Sequence, residues 1–399
     1  MDKWIKFAVL YLGGVIVCLS QFKIVPVMHE LAPFFQVSSS KLSWLMSVFS
    51  LAGLVLAIPG AAFLSRFGGK KLAVSIMVFL VIGNLLGALV AEHNFYLLLL
   101  SRIIEGISFS VTVMVGIVLI SHWFPQHETG LPIGIYGTFP ALGSLIAMNA
   151  FLPMMKLWGI SSLWLSVAAV SVIGLVLYYW LLDAPEHVVK DTQQEKAKSS
   201  ILAQAFKNKF VLTLAFSQGC MAFVLFTFII IYPKIFIDFY QLSPESANFY
   251  ASLFALFGIP FGALAGYLID KTGKPGLITL LSFALMTLAT LYTVFLQGHF
   301  TYVLQMFLLS TAISLASTSV MITVPKIVKQ KELLGYSVSF VTQMYYIGNF
   351  VGAPLVLWVV ETTGSWMMGI YLMTGVSLLG TLGIFYFVIS SQLDKNKAV

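Results

Sequence analysis

Twelve apolar segments, each long enough to cross a lipid bilayer, run through this chain of 399 residues. About 20 consecutive apolar residues span the hydrocarbon core as a helix. Only 9% of the residues are charged and 59% are hydrophobic, and a soluble core cannot bury so much apolar surface in one chain. The segments lie at approximately 7–28, 42–64, 72–91, 95–120, 131–153, 162–182, 210–233, 246–269, 277–297, 301–325, 334–360 and 366–389.

One polar stretch, 183–209, divides the segments into two sets of six. Its segment 183–200 is polar and lacks aromatic residues, and the stretch indicates a cytoplasmic linker rather than a further domain. The sequence therefore predicts an N-terminal six-helix bundle at 1–182 and a C-terminal six-helix bundle at 210–399. The expected fold class is an all-α membrane protein with twelve transmembrane helices.

The two halves contain an internal repeat. A shift of 205 residues places Ser47–Gly68 on Ser252–Gly273 without a gap. Small residues recur at intervals of four in both copies, which allows neighbouring backbones to approach closely in lipid. Two bundles related by pseudo-symmetry follow from this repeat.

Basic residues set the expected orientation, because cytoplasmic connections carry an excess of Lys and Arg. With both termini in the cytoplasm, seventeen of the 22 basic residues fall on that side and three fall outside. Lys23 and Arg102 lie within spans. The pattern predicts a multi-pass protein of the inner membrane. Contact with anionic lipid headgroups accounts for the net charge of +7 without any nucleic-acid partner.

The sequence favours neither an enzyme nor a metalloprotein. Cys18 and Cys220 lie inside apolar segments, without disulfide or metal-ligand spacing, and are expected to be small buried hydrophobic residues. No nucleophile–base pair or nucleotide domain is apparent, and no cofactor is expected.

A short loop rich in glycine and charge joins the eighth and ninth segments, and a degraded copy of it follows the second segment. The loop contains Gly266, Asp270, Lys271 and Gly273, and the copy keeps Arg66 and Gly68. It resembles the signature loop of the major facilitator superfamily. The resemblance implies that Asp270 latches the cytoplasmic side in one of two conformational states. The alternative is a simple loop anchor that sets topology.

Three ionisable residues stand inside the first bundle, where each costs about 2.5–3.5 kcal/mol on insertion scales. Arg102 and Glu105 are three residues apart and are expected to pair on one helix face. Lys23 then has no acidic partner in any span, since Asp238 and Glu245 are assigned to outer connections. The surplus positive charge predicts an anionic ligand. The alternatives are that Lys23 snorkels to the interface and that Arg102 and Glu105 form a purely structural pair.

The second half offers uncharged polar residues within its spans. They suit a binding site with charge on one wall and neutral hydrogen-bonding groups on the other. The alternative for each is an interhelical hydrogen bond. The candidates are Gln218, Gln305, Gln343, Tyr345, Tyr346 and Asn349.

Arg102-x-x-Glu105-Gly106 is similar to a second motif of the same superfamily, and the whole pattern looks most like its cyanate- and nitrate-type permeases. The resemblance implies a monomeric secondary transporter that works by alternating access. We expect proton-coupled uptake of a small anion, with Lys23 and Arg102 attracting the anion and Glu105 carrying the proton. Two rivals are an efflux antiporter for hydrophobic or cationic compounds, suggested by 33 Phe and 16 Met, and a membrane receptor that transports nothing.

Overall fold

A computed structural model describes residues 2–56, 67–125, 130–183, 208–328 and 331–396. These ranges contain twelve helical segments that are long and apolar enough to cross a membrane. The expected all-α class is confirmed. The linker predicted at 183–209 lies almost entirely outside the described residues.

The described residues form fourteen α-helices. Two short 3₁₀ turns, Val25–Val27 and Thr293–Phe295, follow the first and eleventh helices. The helices are α1 Lys3–Phe22, α2 Met28–Phe35, α3 Ser39–Leu56, α4 Gly69–Val90, α5 Phe95–Trp123, α6 Gly130–Tyr136, α7 Phe139–Trp158, α8 Ser161–Leu181, α9 Lys209–Asp238, α10 Pro244–Thr272, α11 Pro275–Tyr292, α12 His299–Ile327, α13 Lys331–Thr363 and α14 Trp366–Asn396.

The first apolar segment does not form one uninterrupted helix. Pro26 has no backbone N–H for the carbonyl of Phe22, and its ring would clash with that carbonyl in a continuous helix. Accordingly α1 ends at Phe22, and the chain turns through Val25–Val27 into the short helix α2. The break places Lys23 at the C-cap of α1.

The boundary between the seventh and eighth segments also differs from the prediction. Asp238 is the last residue of α9, and Glu245 lies in the first turn of α10. Both carboxylates therefore belong to helix ends, and the connection between them is shorter than expected. Glu245 pairs with Lys156 at 2.6 Å.

The chain forms two compact units. The first comprises Met1–Lys190 together with Phe236–Ala255. In it, α4 packs against both α5 and α8, α3 packs against α5, and α1 packs against α7 and α8. Asn248 belongs to this unit and donates a buried hydrogen bond of 3.0 Å to the carbonyl of Pro26.

The second unit comprises Asp191–Ile235 and Leu256–Val399. Here α11 packs against α12 and α14, and α13 packs against α14. The third helix of each six thus contacts the fourth and the sixth helix of its own set. This shared pattern agrees with the internal repeat.

The glycine face of α10 packs differently from the prediction of close backbone contact. A Cβ added at Gly258 would lie 2.8 Å from Ser310 Oγ, whereas one added at Gly266 would lie an ordinary 3.7 Å from Ile322 Cδ1. The neighbours are side chains of α12, not its backbone. A side chain at position 258 would therefore be too close to Ser310, whereas position 266 has room for a Cβ.

Candidate functional site

Lys23, Arg102 and Glu105 form one cluster in the first unit, and none of the three side chains is exposed. Glu105 Oε2 accepts a hydrogen bond of 2.5 Å from Arg102 Nη1 and one of 2.8 Å from Lys23 Nζ. The predicted pairing of Arg102 with Glu105 is confirmed.

The expectation that Lys23 lacks an acidic partner is wrong. A carboxylate oxygen can accept several hydrogen bonds, and Glu105 Oε2 serves both cations at once. Lys23 also does not snorkel, because its amine is directed into the bundle and donates to Asn84 Oδ1. Its Nζ lies 5.0 Å from the centre of the Trp164 ring, within range of a cation–π contact.

The Arg102 guanidinium donates hydrogen bonds to the C-terminal end of α1. The last carbonyls of a helix have no partner within the helix and carry partial negative charge. Arg102 donates to two of them, Ser20 O at 2.6 Å and Gln21 O at 2.8 Å, and its Nε donates to Leu45 O of α3. The guanidinium thus joins α5 to α1 and α3, and its polar hydrogens are directed to protein partners.

Sequence reasoning missed Asn84, Ser20 and Trp164 as members of this cluster. Ser20 Oγ donates to Glu105 Oε2 at 2.6 Å, and Asn84 Nδ2 donates to Ser20 Oγ at 3.2 Å. Asn84 does have a signal in the sequence, because it is an isolated amide within the apolar third segment. The glutamines of the second half are predicted as candidates on the same ground.

Glycines provide the space in which the cluster is built. A Cβ at Gly83 would lie 2.6 Å from Glu105 Cγ, and a Cβ at Gly106 would collide with the backbone carbonyl of Phe49. The glycine of the Arg102-x-x-Glu105-Gly106 motif therefore lets α5 approach the α3 backbone. Phe49 also covers the guanidinium, whose carbon lies 4.6 Å from the ring centre.

The second oxygen of Glu105 stands apart from this network. Oε1 is buried and has no hydrogen-bond partner among the described residues, whereas Oε2 accepts from Ser20, Lys23 and Arg102. A proton bound at Oε1 would leave the partners of Oε2 in place.

The cluster carries one surplus positive charge. Two cations and one carboxylate lie fully buried together. The C-terminal end of α1 offsets part of the excess, since a helix end is equivalent to about half a negative charge. Roughly half a positive charge remains uncompensated by the groups described here, and it favours an anion nearby.

In the second unit, Gln305 is fully buried and hydrogen-bonded to neighbouring helices. Its Nε2 lies 2.8 Å from Tyr232 OH, 2.8 Å from Ala289 O and 2.9 Å from Thr293 Oγ1. The network joins α9, α11 and α12. This geometry supports the alternative of an interhelical hydrogen bond for Gln305.

Gln218 and Asn349 are each only 1% exposed, and Gln218 Oε1 and Asn349 Nδ2 have no hydrogen-bond partner among the described residues. Gln305 Oε1 is likewise unpaired there. Tyr346 is buried on the same helix as Asn349, and the Tyr345 ring lies 5.6 Å from that of Phe226. Gln343 is partly exposed.

The signature-like loop shows one long ion pair. Asp270 Oδ1 lies 3.9 Å from Lys326 Nζ of the same unit, and 81% of the Asp270 side chain is exposed. Lys271 Nζ lies 5.6 Å from the centre of the Tyr267 ring. The left-handed backbone of Gly273 (φ 65°) accompanies the end of α10.

The first-half copy of the loop is described only in part. Gly68 has φ 79° and caps the start of α4, whereas Arg66 lies outside the described residues. Among the residues that the structure covers, no group of three His, Cys, Asp or Glu side chains could hold a metal ion. Both cysteines are free and buried.

Comparison with known proteins places the chain in a family. Residues 10–353 match the Major Facilitator Superfamily. The hexuronate transporter of Bacillus subtilis (strain 168) is 25% identical over 69% of this chain and 68% of its own length. A putative tartrate transporter of Agrobacterium vitis is 24% identical over 88% and 84%.

A solved structure supports the same fold. It is the crystal structure of a bacterial homolog to the human lysosomal transporter Spinster, in an inward-facing and occupied conformation. It superposes with a TM-score of 0.75 and 14% sequence identity, covering 97% of this chain and 96% of that one. Its likeness concerns the fold alone. The family match, which extends over most of the sequence, identifies this chain as a member of the Major Facilitator Superfamily of membrane transporters.

Proposed function

We propose that this protein is a secondary active transporter that takes up a small anionic solute across the inner membrane by alternating access, coupled to protons. The observation that carries the proposal is the buried cluster of Lys23, Arg102 and Glu105, with its surplus positive charge. The hexuronate and tartrate named for two relatives are organic anions. We further propose that the protein works as a monomer in lipid, with both termini in the cytoplasm.

In this proposal the cluster attracts the anionic solute through its charge and does not hydrogen-bond to it directly. The hydrogens of Arg102 are already directed to Glu105 and backbone carbonyls, and Lys23 donates to Asn84 and Glu105. At an effective dielectric constant of about 20, a net half charge about 8 Å away contributes about 1 kcal/mol, or roughly 5-fold in affinity. Direct contact between the solute and either cation would require that the cation exchange one of these partners.

The same electrostatics support the proposed proton coupling. Protonation of Glu105 at Oε1 removes the only negative charge of the cluster and leaves two positive charges. The anion then binds more tightly, and by linkage the bound anion favours protonation. The proton and the anion therefore favour each other's binding, as symport requires. An acidic exterior would then drive uptake of the anion.

The neutral residues Gln218, Gln343, Tyr345, Tyr346 and Asn349 are proposed to bind the solute's uncharged groups. The sequence also predicts Gln305 as a member of this set, but its amide nitrogen would reach a solute only by giving up its present partners. The residues of the signature-like motif and of its first-half copy form the proposed conformational latch. They are Arg66, Gly68, Gly266, Asp270, Lys271 and Gly273.

Flux measurements in proteoliposomes test this function. We expect uptake of labelled glucuronate or tartrate that rises when the outside is acidified. Lys23→Met should lower anion affinity by roughly 10-fold or more, because one buried positive charge is lost. Lys41→Met, the same change at an exposed lysine, should leave affinity unchanged. Flux of organic cations in place of anions would support the efflux rival, and specific binding without flux would support the receptor.

A further inference from the structure

Helices α9 and α13 of the second unit are in backbone contact. A Cβ added at Gly219 would lie 3.1 Å from Met344 O, and one added at Gly348 would collide with Gly219 O. Further along the same two helices, a Cβ at Gly352 would meet Phe223 O at 2.9 Å. Glycines at these positions allow the helices to touch without intervening side chains.

Two unpaired amide atoms flank this contact. Gln218 precedes Gly219 in the sequence, and Asn349 follows Gly348. Gln218 Oε1 is a hydrogen-bond acceptor without a donor, and Asn349 Nδ2 is a donor without an acceptor. Both side chains are 99% buried. The two atoms have opposite hydrogen-bonding character.

Such atoms are costly to leave unpaired. A buried polar atom without a partner costs about 1–3 kcal/mol, and the hydrocarbon region offers no water in compensation. Gln305, which is the same residue type and equally buried, also has an unpaired Oε1, although its amide nitrogen lies close to three acceptors. What distinguishes Gln218 and Asn349 is their position, because each is next in sequence to a glycine at which α9 and α13 touch.

We infer that Gln218 and Asn349 bind hydroxyl groups of the solute, so that the transported anion is a hydroxylated carboxylate. A hydroxyl both donates and accepts, so the hydroxyl groups of a solute can supply a donor for Gln218 Oε1 and an acceptor for Asn349 Nδ2. Nitrate and cyanate ions carry no hydrogen to donate, and they would leave Gln218 Oε1 unpaired. This inference rests on the proposed anion transport and narrows its substrate class.

Matched pairs of anions test the inference on the purified full-length protein by titration calorimetry. Tartrate is succinate with two hydroxyl groups, and gluconate is a hydroxylated hexanoate. We expect tartrate or gluconate to bind at least about 10-fold more tightly than its unhydroxylated counterpart and than nitrate. Gln218→Leu and Asn349→Leu should each weaken the hydroxylated anion by about 10-fold or more, and leave the counterpart and nitrate unchanged. Gln297→Leu, at an exposed glutamine, is the control.

The outcomes separate this inference from the proposed function. If succinate, hexanoate or nitrate binds as tightly as the hydroxylated partners, the hydroxyl assignment is overturned while anion transport stands. If no anion binds, both are overturned. Thermal unfolding provides a further check, because removing an unpaired buried atom should leave the melting temperature unchanged or raise it. A lower melting temperature with unchanged affinities would show that the two amides serve helix packing instead.

Discussion

Lys23 Nζ lies 2.8 Å from Glu105 Oε2, and both side chains are completely buried. The same oxygen also pairs with Arg102. One carboxylate thus holds two cations that belong to different helices, α1 and α5. The arrangement connects the stability of the first unit to the charge state of a single side chain.

Glu105→Gln should destabilise the protein and make its melting temperature depend more strongly on the bound anion. Removing one partner of a buried ion pair costs about 3–5 kcal/mol, and the amide keeps the shape while losing the charge. We expect a lower melting temperature without solute and a larger rise on adding anion than in the wild type. Transport should lose its dependence on the proton gradient.

The control for this variant is Glu245→Gln, at an exposed carboxylate paired with Lys156. An exposed pair contributes at most about 1 kcal/mol, so this change should have little effect. A Glu105→Gln protein with unaltered stability and full proton dependence would refute the assigned role of Glu105.

Gly106→Ala should push α5 away from α3. The added Cβ would collide with the backbone carbonyl of Phe49, which cannot move aside as a side chain could. Overpacking of this kind costs about 1–3 kcal/mol. Gly134→Ala is the matched control, because nothing lies within 4 Å of its Cβ position. Denaturation of both variants in the same detergent measures the difference, and equal melting temperatures would contradict the packing account.

Asp183 should give the protein a small pH-dependent stabilisation. Partial burial raises its pKa, but hydrogen bonds from Lys6 Nζ at 2.6 Å and Trp123 Nε1 at 2.8 Å outweigh burial and hold the pKa below its ordinary value. A depressed pKa stabilises the fold above the pKa of the unfolded chain, and the contribution disappears as the pH falls through the folded value.

The comparison is between wild type and Asp183→Asn across pH. The variant should melt at a lower temperature at pH 7, and the gap should close below about pH 3.9, the ordinary aspartate value. The effect should be no larger than about 1 kcal/mol, since 60% of the side chain is exposed. A gap that widens on acidification would show that the neutral form is preferred.

Asp270→Asn should slow turnover without weakening solute binding. The carboxylate lies near the C-terminal end of α10, where negative charge is unfavourable, and its pair with Lys326 is long and exposed. The fold therefore gains little from this charge, and we expect an unchanged melting temperature. Solute exchange rates and equilibrium affinities, measured on the same preparation, distinguish a role in conformational exchange from a role in solute binding. Altered affinity with unchanged turnover would exclude the latch.

The sequence predicts the helices well because twenty-residue apolar runs have one stable form in lipid. It also predicts the Arg102–Glu105 pair, since a spacing of three is a property of one helix. The sequence does not reveal the partner of Lys23, because Glu105 already pairs with Arg102 and the count of charges does not show that one carboxylate oxygen accepts from both cations. Asn84 was missed because its contact with Lys23 depends on the register between two helices.

The glutamines show the same limit in the second unit. Gln218 and Gln305 are equivalent in sequence terms, each an amide within an apolar run. The structure leaves Oε1 of both residues unpaired, but it places the amide nitrogen of Gln305 close to three acceptors. These acceptors belong to Tyr232, Ala289 and Thr293, which lie 12 to 73 positions from Gln305 along the chain. No local pattern encodes this placement.

A thermal-shift comparison of anions and cations on the purified protein tests the central claim most directly. The buried surplus of positive charge predicts that small carboxylates raise the melting temperature and that organic cations do not. The rise should shrink strongly in Lys23→Met and persist in Lys41→Met. Stabilisation by cations but not by anions would contradict the account.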